Sequence, residues 1–189
     1  PYEDGGPWDP QRLEGMHRFV NKVYDLVTEE YLPKQIDTII EAELEARTHK
    51  LIKKVGEDLQ EVKFNTAIAT IMEFVNFTGG VKRNGTSGDQ AWADCIKTLV
   101  IVLAPLAPYL SEELWEQLGQ NESVHLQSWP KYSEDLVKDD VVTIIVQVNG
   151  KLKGEFVVAT GTNQQELEET ACNLNKSQNF TKNGEIVKV

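Results

Sequence analysis

Two lysines follow a predicted turn and are well placed to contact phosphate groups. Asn149-Gly150 separates a run of largely β-branched residues, 141–148, from Lys151 and Lys153. Asn-Gly between apolar runs predicts a type I′ turn, because both central residues of that turn need positive φ. Alternation along the outgoing strand puts Lys151 and Lys153 on one face. The pattern therefore predicts a rigid hairpin that presents two cations.

A second group of cations falls in the predicted second helix. Helical spacing keeps its members on one flank, and they are Arg47, Lys50, Lys53 and Lys54. Such a flank contacts phosphate in some proteins, whereas in many others it is a solvated face that balances carboxylates. Lys82 and Arg83, in a Gly-rich stretch, form a further candidate pair.

The sequence shows no group of residues suited to catalysis or metal binding. His17, His49 and His125 are scattered and lack a nucleophile or carboxylate at a catalytic spacing. Gly79-Gly80 lacks the preceding strand and the Lys-Ser/Thr of a phosphate-binding P-loop. No Cys/His cluster has zinc spacing. We therefore expect no catalytic residue, metal site or cofactor in this chain.

Composition limits the classes of protein to consider. With 189 residues, 40% of them hydrophobic, the chain fits one medium domain and one small domain. A net charge of -11 argues against a non-specific nucleic-acid binder but allows a local basic patch. No apolar run is long enough to span a bilayer, and no secretory leader pattern is present. These features predict a cytoplasmic protein that does not insert into membranes.

Hydrophobic periodicity predicts five amphipathic helices with short connections, which is typical of an antiparallel bundle. Their approximate ranges are Pro10–Tyr31, Asp37–Leu59, Lys63–Phe77, Gln90–Ala104 and Ser111–Leu118. The predicted core line of the first helix is Leu13, Met16, Val20, Val23, Tyr24 and Val27. The stretch Thr78–Gly88 is predicted as a loop because it is polar and rich in glycine.

The ends of the fifth helix and the tail complete the predicted architecture. Pro105 and Pro108 should end the fourth helix, Gly119 should cap the fifth, and Trp115 should be buried. From Val141, the pattern predicts a strand, a turn and a second strand to about Ala159, then a helix at Gln164–Asn173 and a last strand at Glu185–Val189. Together these elements form a small α+β unit. The predicted domains are 1–130 (helical), 131–140 (a connector) and 141–189 (small α+β).

Four segments carry a family resemblance. NTAIATIMEFVN at 65–76 and LAPLAPYLSEELWEQLG at 103–119 resemble the anticodon-binding helical bundle of class I aminoacyl-tRNA synthetases. RFVNKVYDLV at 18–27 and VQVNGKLKG at 146–154 resemble bacterial-type leucyl-tRNA synthetases, whose hairpin pattern is close to V-Q-V-N-G-K-x-R-G. Lys153 stands where that family usually has Arg. The resemblance covers nearly the whole chain.

The resemblance implies a C-terminal fragment of a leucyl enzyme, with the helical domain and an incomplete C-terminal domain. The parent would activate leucine with ATP and Mg²⁺ and charge tRNA(Leu). The His-Ile-Gly-His and Lys-Met-Ser-Lys-Ser signatures and the editing domain do not occur in this chain. The fragment is therefore expected to be inactive alone, to be a monomer, and to orient the tRNA for the missing catalytic and editing domains. The implied tRNA-binding residues are Lys151, Lys153, Arg47, Lys50, Lys53 and Lys54.

Two alternatives remain open. The helical part would also suit a valyl or isoleucyl enzyme, although those usually carry a different extension after it, so Asn149-Gly150 argues against them. The other alternative is a helical protein-interaction domain without any role in RNA binding.

Overall fold

The computed structural model describes residues 13–138, 141–148, 151–159 and 162–173, and this part of the chain is mainly helical. The chain divides into two compact units, Pro1–Val137 and Lys138–Val189. Three predicted features lie outside the described residues: the start of the first helix, the Asn149-Gly150 turn and the last strand.

The first unit contains the longer helices. They are α1 (Leu13–Thr28), α2 (Thr38–Gln60), α3 (Phe64–Asn84), α4 (Asp89–Leu103) and α5 (Pro108–Gln117). A 3-10 helix at Val124–Leu126 and the short α6 (Glu134–Val137) follow. Helix α2 packs against α3, α4 and α6, and its Leu44, Leu51 and Val55 are fully buried. The core of this unit is therefore built around α2.

The second unit contains a pair of antiparallel strands, β1 (Val141–Val148) and β2 (Lys151–Ala159), and the helix α7 (Gln164–Asn173). The register runs from Val141 opposite Ala159 to Val146 opposite Gly154, then shifts by one residue. Beyond the shift, Gln147 lies opposite Leu152 and Val148 opposite Lys151. Lys153 is thus the extra residue of a β-bulge.

The link between α1 and α2 is held by main-chain hydrogen bonds that its amides donate to the end of α3. The amides of Lys34 and Gln35 donate to the carbonyl oxygen of Gly85 at 2.9 and 3.2 Å. Gly85 has φ +62°, and a Cβ there would lie 2.6 Å from the carbonyl oxygen of Leu32. Only glycine fits, because both the left-handed backbone and the close approach exclude a side chain. Asp37 then caps α2, since its carboxylate accepts from the amides of two following residues.

The prediction that Thr78–Gly88 forms a loop is wrong, because α3 continues to Asn84. Thr78, Gly79 and Val81 are all buried, and the Thr78 hydroxyl donates to the carbonyl of Phe74 at 2.9 Å. This tertiary packing outweighs the low helix propensity of the two glycines. The helix ends where Gly85 takes the left-handed conformation.

The predicted core line of α1 is only partly correct. Val23 is buried, and Val27 packs against the core, but the other members, Leu13, Met16, Val20 and Tyr24, are exposed. Helix α1 packs mainly against α3 and α5, so a narrow strip that includes Leu26 is covered instead. The helix also ends at Thr28 rather than Tyr31.

Helix α5 begins at Pro108, three residues before the predicted start at Ser111. Proline suits the first turn of a helix, because the missing amide would have no partner there. Ser111 is instead fully buried within the helix, close to the buried Leu114 and Trp115. The burial of Trp115 agrees with the prediction. The helix ends at Gln117 with Leu118 as its C-cap residue, and Gly119, the predicted cap, follows with φ +71°.

Candidate nucleic-acid interface

Arg47 on α2 is engaged within the protein. Its Nη2 lies 2.7 Å from Oε1 of Glu43, and its Nε donates to the same oxygen at 2.8 Å. The guanidinium also stacks over the ring of Phe77 on α3, 4.3 Å from the centroid. A cation over an aromatic face is held by the quadrupole of the ring. The charge of Arg47 is therefore balanced locally, and its orientation is fixed against α3.

Lys53 and Lys54 of α2 each have a carboxylate partner. Nζ of Lys53 donates to Oε2 of Glu134 at 3.1 Å, and this hydrogen bond raises the pKa of Lys53. Nζ of Lys54 lies 2.8 Å from Oδ1 of Asp58, whose side chain is only 1% exposed. Lys50 also has an interaction partner. The predicted basic flank is thus present on α2, but its charges are largely engaged.

The segment after residue 130 packs on α2 through polar contacts. Nδ1 of His49 accepts from the amide of Ser133 at 3.1 Å. Lys53 reaches Glu134 in the same segment, and its ammonium lies 5.5 Å from the ring centroid of Tyr132. His49 is therefore a packing residue that positions this segment.

The hairpin lysines lie on β2, near the turn that is outside the described residues. Lys151 lies opposite Val148, and Lys153 is the bulged residue. Their role in contacting phosphate stays a prediction.

Lys82 has a structural role that the sequence did not reveal. Its ammonium donates to the carbonyl oxygens of Asp25 and Glu29, both at 2.9 Å, and of Leu26 at 3.1 Å. These are carbonyls at the C-terminal end of α1, where the helix dipole is negative. The last turn of α1 has no basic residue of its own. The missing basic residue in the last turn is the one sequence feature that indicates that a cation from another part of the chain caps α1.

The described residues contain no cluster of three or more His, Cys, Asp or Glu side chains that could hold a metal ion. In the same part of the chain, no helix combines the length and the apolarity needed to cross a membrane.

Comparison with known families identifies the greater part of the chain. Residues 41–169 match the family model described as the anticodon-binding domain of tRNA ligase. The chain belongs to this family. The matched range runs from α2 into α7, so every predicted RNA-contacting lysine and arginine lies within the anticodon-binding family match.

Relatives of this chain are leucine–tRNA ligases. That of Dehalococcoides mccartyi is 41% identical over 173 residues, which are 92% of this chain and 21% of the relative. That of Herpetosiphon aurantiacus is 44% identical over 172 residues, 90% of this chain and 21% of the relative. The chain thus spans about a fifth of the length of these relatives.

A solved structure has a similar fold. It is the crystal structure of the ternary complex of Agrobacterium radiobacter LeuRS, tRNA and LeuAMS. The match covers 97% of this chain and 24% of the matched chain in that structure. The TM-score is 0.71 and the sequence identity is 26%.

Proposed function

We propose that this chain is the tRNA-binding part of a leucine–tRNA ligase and that it orients the body of tRNA(Leu). The observation that carries the proposal is the match to leucine–tRNA ligases over 90% or more of the chain, together with the anticodon-binding family match. Activation of leucine with ATP and Mg²⁺, and editing, would belong to other parts of the same protein. We place the protein in the cytoplasm, as a monomer.

The finer architecture is part of this proposal. Helices α1–α5 would form the antiparallel bundle of the anticodon-binding type, and β1, β2 and α7 would begin a small α+β domain. A bundle suits this role because rigid helices hold surface cations at fixed spacing, and RNA is read largely through shape and backbone contacts.

Lys151 and Lys153 are the proposed phosphate contacts in the second unit. A chain with a net charge of -11 repels RNA over most of its surface, so binding must depend on local cations. The flank of α2 is the competing surface. Lys53 and Lys54 on this flank are paired with Glu134 and Asp58, so a phosphate there would compete with a carboxylate already in place.

The test measures tRNA affinity of the full-length ligase at several salt concentrations. One variant carries Lys151→Ala and Lys153→Ala, and the comparison variant carries Lys53→Ala and Lys54→Ala. Each lost phosphate contact should reduce the slope of log affinity against log salt by about 0.7–0.9. We expect the flatter slope in the hairpin variant, with tRNA preference unchanged, because phosphate contacts carry no sequence information.

The possible results separate the alternatives. A flatter slope only in the α2 variant would move the contact to the helical unit. A wild-type protein whose tRNA affinity does not respond to salt would contradict phosphate-driven binding and favour a protein-interaction domain. Charging of tRNA(Val) or tRNA(Ile) instead of tRNA(Leu) would assign the parent to one of the other two enzymes.

A further inference from the structure

Helix α3 contains two adjacent glycines that folding does not explain. Gly79 and Gly80 lie inside the helix, where glycine is the least favourable residue after proline. Neither has a positive φ. Among the described residues, a Cβ on Gly79 would meet only Lys22 Cε and Arg83 Nη1, each at 3.8 Å, and one on Gly80 only Arg83 Nη2, at 4.0 Å. These are ordinary contact distances, so alanine would fit at both positions.

The atoms beside these glycines belong to cationic side chains from two helices. Lys22 Cε on α1 and Arg83 Nη1 on α3 both lie 3.8 Å from the point where the Cβ of Gly79 would stand. Arg18 is one turn before Lys22 on the same helix face. All three side chains are exposed. We name Arg18, Lys22 and Arg83 with Gly79-Gly80 the glycine step.

The cations of the glycine step differ from those of α2 in having no carboxylate partner among the described residues. Lys22 donates to the amide oxygen of Asn76, and neither arginine forms an ion pair there. Asp25 and Glu73 lie on the same two helices, yet neither pairs with these cations. Three positive charges are thus concentrated around the buried Gly79 and the partly exposed Gly80, in a protein whose net charge is -11.

We propose that the glycine step receives phosphate groups of an RNA backbone. Lys22 and Arg83 would each contact a phosphate oxygen, and Arg18 would extend the contact along α1. Gly80 is partly exposed, and the missing side chain there would let the backbone of the RNA approach the helix closely, as glycine does at other sites of close approach. The inference rests on the proposed function and adds to it a contact surface on the α1–α3 side of the first unit.

The test uses the full-length ligase with Lys22→Gln and Arg83→Gln, alone and combined. We expect each substitution to reduce the salt slope of tRNA affinity by about 0.7–0.9, and the pair to weaken binding at about 0.1 M salt by about tenfold or more. The matched control is Lys131→Gln, which removes an exposed charge elsewhere in the same unit and should leave the slope unchanged. Equal slopes for the double variant and the wild type would overturn the proposal.

The glycines need a separate variant. Gly80→Ala removes no charge and should raise the denaturation midpoint, because alanine favours the helix. It should nevertheless weaken tRNA binding, with the salt slope unchanged, by blocking close approach. If Gly80→Ala leaves the tRNA affinity unchanged, the RNA backbone does not approach α3 closely at Gly80.

The two proposals fail in different ways. If wild-type enzyme shows no salt-dependent tRNA affinity, the proposed function itself fails. If wild-type affinity depends on salt while the glycine-step variants match it, only the present inference fails.

Discussion

The ring of Tyr31 stacks on the indole of Trp92, with centroids 4.4 Å apart and planes 14° from parallel. Tyr31 follows α1, and Trp92 lies on α4. The hydroxyl of Tyr31 donates to the carbonyl oxygen of Ser87 at 2.7 Å and accepts from the amide of Ser87 at 2.9 Å. One side chain thus joins the end of α1 to the start of α4 by both apolar and polar contacts.

Tyr31→Phe should keep the stack and lose both hydrogen bonds. Ser87 is fully buried, so its amide and carbonyl would lose a partner that water cannot readily replace. We expect a loss of about 1–3 kcal/mol in the free energy of unfolding, measured by chemical denaturation. Tyr109→Phe is the matched control, because Tyr109 is 91% exposed, and it should have no measurable effect. Equal stabilities of the two variants would contradict the role of the hydroxyl.

Tyr31 should also contribute to loss of stability at alkaline pH. Burial raises its pKa above 10.0, against a smaller lowering by the Ser87 hydrogen bond. Because the folded state holds the proton more tightly, the contribution is complete below pH 10 and is lost as the pH rises through the folded pKa. The free energy of unfolding of wild type should therefore fall more steeply above pH 10 than that of Tyr31→Phe. Parallel pH profiles would show that the phenol titrates alike in both states.

Gly85→Ala should be far more harmful than Gly119→Ala. Both glycines have positive φ, but only at Gly85 would the new Cβ meet backbone atoms, at 2.6 and 2.8 Å. Gly119 has nothing within 4 Å. We expect about 1–2 kcal/mol for the left-handed backbone at Gly119, and a clearly larger loss at Gly85. Thermal or chemical denaturation of the two variants provides the comparison, and similar losses would argue against the close packing around Gly85.

Trp115→Ala should destabilise the first unit by roughly 3–5 kcal/mol, the usual range for removing a buried aromatic side chain. Trp115 is 6% exposed, whereas Trp129 is 38% exposed and rests on α2 at Gly56. Trp129→Ala is therefore the control, with an expected loss of about 1–2 kcal/mol. If chemical denaturation gave less than about 1 kcal/mol for Trp115→Ala, well under that range, its burial would be wrong.

Lys54→Ala should destabilise the protein more than removal of an ordinary surface lysine. It leaves the buried carboxylate of Asp58 unpaired, and Oδ2 of that carboxylate has no hydrogen-bond partner among the described residues. Since the Lys54 side chain is half exposed, we expect only about 1–2 kcal/mol. Lys131→Ala should stay within about 0.5 kcal/mol. On an Asp58→Asn background the effect of Lys54→Ala should shrink, which a double-mutant cycle would measure.

The sequence predicted helices best where periodicity and end signals agreed. The predicted α2 and α4 were each displaced by one residue at either end. In α2, the Asp37 cap and a regular apolar line pointed to the same element. The burial of Trp115 was also predictable, because a large aromatic side chain follows a proline corner.

The failures at α3, at the end of α1 and at the α2 cations came from tertiary contacts. Thr78–Gly88 has the composition of a loop, and only packing of Thr78 and Val81 against the core makes α3 continue through it. The last carbonyls of α1 accept hydrogen bonds from Lys82, a residue more than fifty positions away, which local patterns cannot identify. The α2 cations were placed on the correct helix, but their carboxylate partners depend on side-chain geometry that spacing does not give.

The hydrogen bonds to Gly85 should couple the local unfolding of the link after α1 to that of the end of α3. The amides of Lys34 and Gln35 belong to no helix or strand, yet they donate to Gly85, and the amide of Asp37 donates to Thr86. Their protons should exchange with solvent deuterium far more slowly than those of an ordinary loop, because exchange requires separation from the end of α3. The link after α1 and the last turn of α3 should therefore open together, as one cooperative unit.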